Sequence, residues 1–215
     1  MMKNVWYFIA LILASGCDTP KNMQTTNDKG WISLFDGKSL AGWIISDDPL
    51  SIRVEDGAIV TNGTRAHAFY NGSVQNHDFK NFEFKAEVMT FPGSNSGIYF
   101  HTKYQAEGWP SKGYEVQVNN SQSDWRRTGS LYSIQDVKET YVKDNEWYTE
   151  YIKVVGKRVI IKINDTVVVD YTEPEMPLRE QGTENRVISS GTFALQAHDP
   201  GSKVMYRNIM VKPLP

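Results

Sequence analysis

From Trp31 onward the chain is a succession of short runs rich in Val, Ile, Phe, Tyr and Thr, separated by Gly, Asn, Asp and Pro, with little that follows a helical period. The run FEFKAEVM (82–89) alternates. Phe82, Phe84, Ala86 and Val88 fall on one side and Glu83, Lys85 and Glu87 on the other, which predicts a half-buried strand within 79–91. In SIRVEDGAIV (51–60), Asp56-Gly57 predicts the tip of a hairpin, because that pair tolerates the backbone that the strand twist prefers. The loop PGSN (92–95) gives way to a strand over 97–103, and further strands are expected at 113–119 and 128–134. A meander follows over 147–155, 158–163 and 166–171, with turns at Gly156-Lys157 and Asn164-Asp165. Two prolines and several charges make 172–190 a long loop, after which strands at 191–197 and 203–212 close the chain. No repeat and no break in composition interrupts the series, so one all-β, antiparallel sandwich is expected.

Alternation also sorts side chains between faces. In GYEVQV (113–118), Tyr114, Val116 and Val118 form the apolar side and Glu115 and Gln117 point away. FALQAH (193–198) leaves Gln196 and His198 opposite a core of Phe193, Leu195 and Ala197. GIYFHT (97–102) places Tyr99 and His101 opposite Ile98 and Phe100. Such a set is richer in hydrogen-bonding and stacking groups than an ordinary solvated sheet face. It suits a sugar, whose hydroxyls need amides and carboxylates and whose C–H faces stack on rings. Trp109, in a Gly-rich loop, and Tyr132 could add stacking platforms. Whether these side chains converge depends on strand order, which alternation does not give. Trp109 could equally anchor its loop, Glu115 could pair with Arg126, Arg127 or Arg207, and His198 could cap the turn at Asp199-Pro200-Gly201.

Charge and cysteine content narrow the field. The 215 residues carry a formal net charge of -2 without a basic stripe, which argues against a nucleic-acid partner. Cys17 is the single cysteine, so no intrachain disulfide supports the fold. It follows Lys3, an apolar run over 5–14 and the small residues Ala14-Ser15-Gly16. That run is too short to span a bilayer as a helix and reads as the core of a signal peptide. Small residues directly before a cysteine resemble a bacterial lipobox. The expected organisation is therefore a lipoprotein signal over 1–16, a polar tether over 17–30 beginning with lipidated Cys17, and a β-sandwich over 31–215. A secretory signal that happens to hold a cysteine is the alternative. The lipoprotein reading expects the protein in the cell envelope of a bacterium, facing periplasm or cell surface and touching membrane only through its lipid. No zinc-type spacing and no Gly-rich phosphate loop occurs, so no metal or nucleotide cofactor is expected. A structural calcium held by loop carbonyls would leave no motif.

Six segments carry a family resemblance: WISLFDGKSLAGW (31–43), SGIYFHT (96–102), GYEVQVNN (113–120), TGSLYS (128–133), FALQAHDPGS (193–202) and YRNIMVKPL (206–214). In this order they resemble the 3-keto-disaccharide hydrolase family. The resemblance implies a concanavalin A-like jelly roll of two antiparallel sheets with a ligand cleft on the concave one. It also implies action on 3-keto-glycosides, sugars whose glucose unit carries a ketone at C3, made by a separate oxidoreductase.

A ketone at C3 acidifies the C2 proton, so the glycosidic bond can break by elimination, with water then adding to the enone to complete a net hydrolysis. That route needs a base near C2, a group to hold the enolate oxygen and an acid for the leaving group. Glu115 and His198 are the expected base and acid, Gln117 and Gln196 orient hydroxyls, and Tyr132 or His101 could assist the departing oxygen. Two other functions stay open on the residues alone. One is a carbohydrate-binding module without catalysis, and the other an endoglucanase-like hydrolase with two carboxylates flanking the bond.

Overall fold

A computed structural model describes residues 30–215. Cys17, the expected signal segment and residues 17–29 of the expected tether lie outside the described residues. The strands in chain order are β1 (Ile32–Ser33), β2 (Trp43–Asp47), β3 (Ile52–Glu55), β4 (Ala58–Asn62), β5 (Ala66–Tyr70), β6 (Phe82–Thr90), β7 (Ser96–Thr102), β8 (Tyr114–Val118), β9 (Tyr148–Val155), β10 (Arg158–Ile163), β11 (Thr166–Thr172), β12 (Thr192–Ala197) and β13 (Lys203–Pro213). All pairings are antiparallel. One sheet runs β11-β10-β9-β6-β13-β4-β3 with β1 added to β13, and the other runs β2-β5-β12-β7-β8. The result is an all-β jelly roll.

Between the sheets lies one aromatic-rich core. The rings of Phe82, Phe84 and Phe100 meet Phe193 and Tyr114, with Phe84 and Phe193 centroids 4.6 Å apart. Each such ring taken from water contributes about 2–3 kcal/mol, so this cluster carries much of the sandwich's stability. β6 keeps the predicted alternation along its whole length. The hairpin of β3 and β4 turns on Asp56 and Gly57, both at positive φ as the pair predicts. The meander of β9, β10 and β11 also stands where expected.

Two segments depart from the alternation. The stretch expected as a strand at 128–134 is a turn-rich cover, because Gly129 and Ser133 sit at positive φ and break the extended run. It still bonds to the free edge of β8. Gln117 N–H donates to Ser130 O (2.9 Å), Gly129 N–H to Gln117 O (2.9 Å) and Tyr132 N–H to Glu115 O (3.0 Å). The second departure is His101. Its φ of 55° marks a bulge in β7, where the steps from Thr102 to Tyr99 match only the steps from Thr192 to Ala194 on β12. The extra residue turns the imidazole off the cleft face and packs it against Phe82 and Phe100. There it bonds Lys80 O and accepts from Ser189 N–H. Burial lowers its pKa to about 4. The expectation that His101 meets a ligand is therefore corrected: it anchors strand to loop, and Thr102 takes the outward-facing position.

One core residue defies the core. Glu150, on β9 between Tyr148 and Ile152, is fully buried, and neither carboxylate oxygen has a hydrogen-bond partner. Burial raises its pKa well above the ordinary range.

Candidate functional site

Because Tyr114, Val116 and Val118 fill the core, Glu115 and Gln117 emerge on the outer face of the five-stranded sheet. Register sets Tyr99 opposite Glu115 and Gly97 opposite Gln117 across β7 and β8, and Ala194 opposite Tyr99 across β12 and β7. Tyr99, Glu115, Gln117 and Gln196 therefore stand side by side. With Asn95, Trp109, Tyr132, Arg186 and His198 they line a cavity of about 500 Å³, within the range of small-molecule sites. Seven of the eight side chains singled out from the sequence meet here, all but His101.

Glu115 is the buried carboxylate of the lining. The carboxylate is only 6% exposed and accepts hydrogen bonds from Gln196 Nε2 (2.9 Å) and the Tyr99 hydroxyl. Burial raises its pKa, opposed by the Tyr99 bond, the Arg186 charge and the Gln196 bond. No arginine pairs with it; Arg207 instead binds Glu87 at 2.7 Å, and Arg126 binds Asp136 at 3.2 Å. Gly97 makes room for the group, since a Cβ there would stand 2.4 Å from Glu115 Oε1. Gln196 Nε2 also reaches the Tyr99 oxygen (3.0 Å), while Gln196 Oε1 is buried without a partner, an acceptor ready for a hydroxyl. Gln117 Nε2 donates to Asn95 Oδ1 at 3.2 Å.

His198 stands just past the end of β12, partly exposed. Its Nδ1 lies 2.7 Å from Asp199 Oδ2, and Asp199 also accepts from Gly201 N–H (2.8 Å) and Ser202 Oγ (2.8 Å). Burial resists ionisation of Asp199, but these bonds outweigh it and hold its pKa below the ordinary value. The turn-capping role weighed for His198 is thus present. The dyad closes the turn and fixes the ring by Nδ1, leaving Nε2 for a ligand. The ring leans on Trp109, 5.3 Å between centroids.

Trp109 is held by a braced loop. Gln105 Nε2 donates to Glu107 O and Trp109 O, both at 2.7 Å, and Gly108 N–H donates to Asp47 Oδ1 at 3.0 Å. Beneath it lies His67, fully buried, with neither ring nitrogen hydrogen-bonded, Nδ1 standing 4.0 Å from Asp47 Oδ2, and with its pKa lowered by burial to about 4.

Arg186 is a site residue that periodicity could not find, because it belongs to the long loop before β12. Its Nη1 donates to Tyr132 O (3.2 Å), and no carboxylate lies within ion-pair distance among the described residues. The buried Arg179 secures that loop, donating from Nε to Arg186 O (2.6 Å) and from Nη2 to the Tyr114 hydroxyl (2.6 Å) and Glu173 Oε2 (3.2 Å). Asn95 escaped notice for a similar reason, sitting in a loop immediately before β7. Asp124 also lines the cavity, but it caps Arg126 N–H (3.0 Å) and faces the Arg126 guanidinium at 3.6 Å. No cluster of three or more His, Cys, Asp or Glu able to hold a metal ion occurs among the described residues.

Comparison with known proteins gives three results. Residues 30–212 match the family model described as a 3-keto-alpha-glucoside-1,2-lyase-like domain. No curated protein matches the chain. Among solved structures, two candidate glycosyl hydrolases from Parabacteroides distasonis share the fold. One has a TM-score of 0.75 at 22% identity, covering 89% of this chain and 99% of the other. The second has a TM-score of 0.64 at 19% identity, covering 86% and 99%. A carbohydrate-binding module from Bacillus subtilis is more distant, with a TM-score of 0.51 at 15% identity, covering 85% and 95%.

Proposed function

The chain belongs to the 3-keto-alpha-glucoside-1,2-lyase-like domain family, and from that premise we propose that its cavity cleaves glycosides already oxidised to a ketone at C3 of the sugar. The observation that carries this reading is one buried carboxylate, Glu115, lined up in a single cavity with the His198–Asp199 dyad and an arginine free of carboxylates. Direct displacement needs two working carboxylates, and Asp124, the second on the lining, is engaged by Arg126.

In the proposed reaction Glu115 removes the C2 proton, and the C2–H electrons form the enolate with the C3 oxygen. Arg186 offsets the negative charge on that oxygen. Collapse of the enolate forms the C1–C2 double bond and breaks the bond from C1 to the leaving oxygen, which takes a proton from His198 Nε2. The product is an enone. Water added across C1 and C2 yields the free 3-keto sugar, so the sum is hydrolysis. Tyr99, protonated because burial and the Glu115 charge raise its pKa, steadies the base. Gln117 and the free Gln196 Oε1 orient hydroxyls. Trp109 and Tyr132 flank the sugar. The ketone comes from a separate oxidoreductase, and the proposed lipid on Cys17 would hold the domain at the cell envelope.

The test is incubation with 3-keto-trehalose or a 3-keto-glucoside in D2O, with products followed by mass. Elimination is expected to release an enone lighter than the sugar by one water, or a 3-keto sugar carrying deuterium at C2. The unoxidised glycosides should stay intact. Cleavage without deuterium at C2, or cleavage of the unoxidised glycan, would overturn the mechanism. A carbohydrate-binding module would instead bind the sugars and consume none.

A smaller change tests the placement of the base. Gly97→Ala sets a methyl group against Glu115 Oε1 and must displace the carboxylate. Since misplacing a reacting group by about 1 Å costs about a hundredfold, kcat/KM should fall by that order. The thermal midpoint should fall by about 2–10 °C, the cost of crowding a buried position. Unchanged kinetics would show that the carboxylate position is immaterial.

A further inference from the structure

A second cavity of about 390 Å³ opens on the same outer face of the five-stranded sheet, and it contains none of the groups assigned to the reaction. Its floor is the next stretch of the same strands. Thr192 lies four residues before Gln196 on β12, a separation of about 13 Å along the strand. Thr192 pairs with Thr102, which faces outward only because the bulge at His101 shifts the alternation. The Thr102 Oγ1 atom is buried without a hydrogen-bond partner.

The walls are equally particular. Tyr104 is 46% exposed and stands edge-on to Phe69, 5.5 Å between centroids. Opposite, Asn76 and His77 belong to three consecutive non-glycine residues at positive φ, from Gln75 to His77, a costly backbone that places polar side chains at the rim. Asn71, the Asp78 carboxylate and the lysines Lys103 and Lys112 also line it. Between the cavities runs segment 103–113, with Tyr104 and Lys112 on the second and Trp109 and Ser111 on the first. The two sites therefore share a wall.

Amides, a carboxylate, the Thr102 hydroxyl and an exposed ring at one cavity are the groups that recognise a pyranose, planar polar groups for its hydroxyls and an aromatic face for its C–H surface, while the Thr192 hydroxyl donates to Tyr70 O. Apolar ligands are disfavoured by the polar rim, and the Asp78 carboxylate stands against the ammonium groups of Lys103 and Lys112, the latter tied to Ser190 O at 2.6 Å. We propose that this cavity is a second saccharide-binding site, which holds a neutral sugar unit of a glycan and does not cleave it. The assignment rests on the carbohydrate reading of the first cavity but not on its chemistry.

Binding is measured with unoxidised sugars, so the result is independent of turnover. Amide resonances of the 15N-labelled protein are followed while glucose, galactose, mannose and xylose, and their neutral di- to tetrasaccharides, are added up to tens of millimolar. At least one sugar should shift Thr102, Tyr104 and Thr192 in wild type and in Gln117→Ala. Tyr104→Ala, a change at an exposed position, should weaken that binding by about tenfold, the worth of a lost stacking ring. It should leave turnover of a small 3-keto-glucoside unchanged. Thr102→Val should weaken binding while keeping the shape of the floor. The proposal is overturned if no sugar in the panel moves these resonances, or if the shifts persist unweakened in Tyr104→Ala and Thr102→Val. Loss of 3-keto-sugar turnover in wild type would sink the proposed reaction without touching this result.

Discussion

Glu115→Gln is expected to lower kcat on a 3-keto-glucoside by about a thousandfold while KM stays within a few-fold, because the amide keeps the shape of the carboxylate and loses its basicity. The environment should accept the change. Gln196 Nε2 and the Tyr99 hydroxyl both donate to the side chain, and an amide oxygen can still receive one of them. The pH profile supplies a second readout. The base works ionised, and burial raises the pKa of Glu115 above its ordinary 4.5. Wild-type kcat/KM should therefore fall on the acid side, beginning at a higher pH than an exposed glutamate would give, and the residual activity of the variant should lack that limb. Steady-state kinetics across the pH range checks both points. Turnover within about tenfold of wild type would remove Glu115 from the role of base.

The second large effect is on stability. Glu150→Met should stabilise the domain by about 2–4 kcal/mol at neutral pH, because it replaces a buried, unpartnered carboxyl by an apolar side chain of similar size. The direction with pH follows from linkage. The folded pKa is raised, so Glu150 is protonated in the fold and ionises on unfolding. Its contribution to stability is thus fully present below the unfolded pKa and is lost above it, by about 1.4 kcal/mol per pH unit until the folded pKa is reached. The gain from Glu150→Met should accordingly be greater at pH 8 than at pH 5. For a domain of this size the thermal midpoint should rise by about 5–10 °C. Glu150→Gln should give a smaller gain, since it removes the ionisation and leaves a polar group in the core. A destabilised Glu150→Met protein at both pH values would mean that the carboxyl is satisfied and contributes to the fold.

Much of this molecule was legible in its sequence. Period-two alternation located β6, which has one face in the core and one in water, and turn residues located the β3–β4 hairpin and the β9–β11 meander. Alternation failed at β5, where Ala66–Tyr70 is buried on both faces and shows no contrast to read. The cleft pairs on β8 and β12, and Tyr99 on β7, were placed on the correct face by the same rule. Their convergence was a matter of strand order, which is set by pairings between distant segments. His101 was misplaced because a single bulged residue reverses everything after it, and no residue type announces such a bulge. Arg186 and Asn95 were missed because loops carry no period. The close approach of Gly97 to Glu115 leaves only a glycine in a strand, a faint sign that something needs the space.

Glu115 rides on β8, the last strand of its sheet, whose outer edge is bonded by the irregular segment around Ser130 and Tyr132. That position separates two kinds of inheritance. The strand supplies the proposed base and is fixed by the sandwich. The edge segment supplies Tyr132 to the wall and answers to no further strand beyond it. Insertions and substitutions there can reshape the pocket for new leaving groups without re-registering the sheet. A lineage carrying this domain could thus diversify its substrates by rewriting one border while the chemistry stays constant.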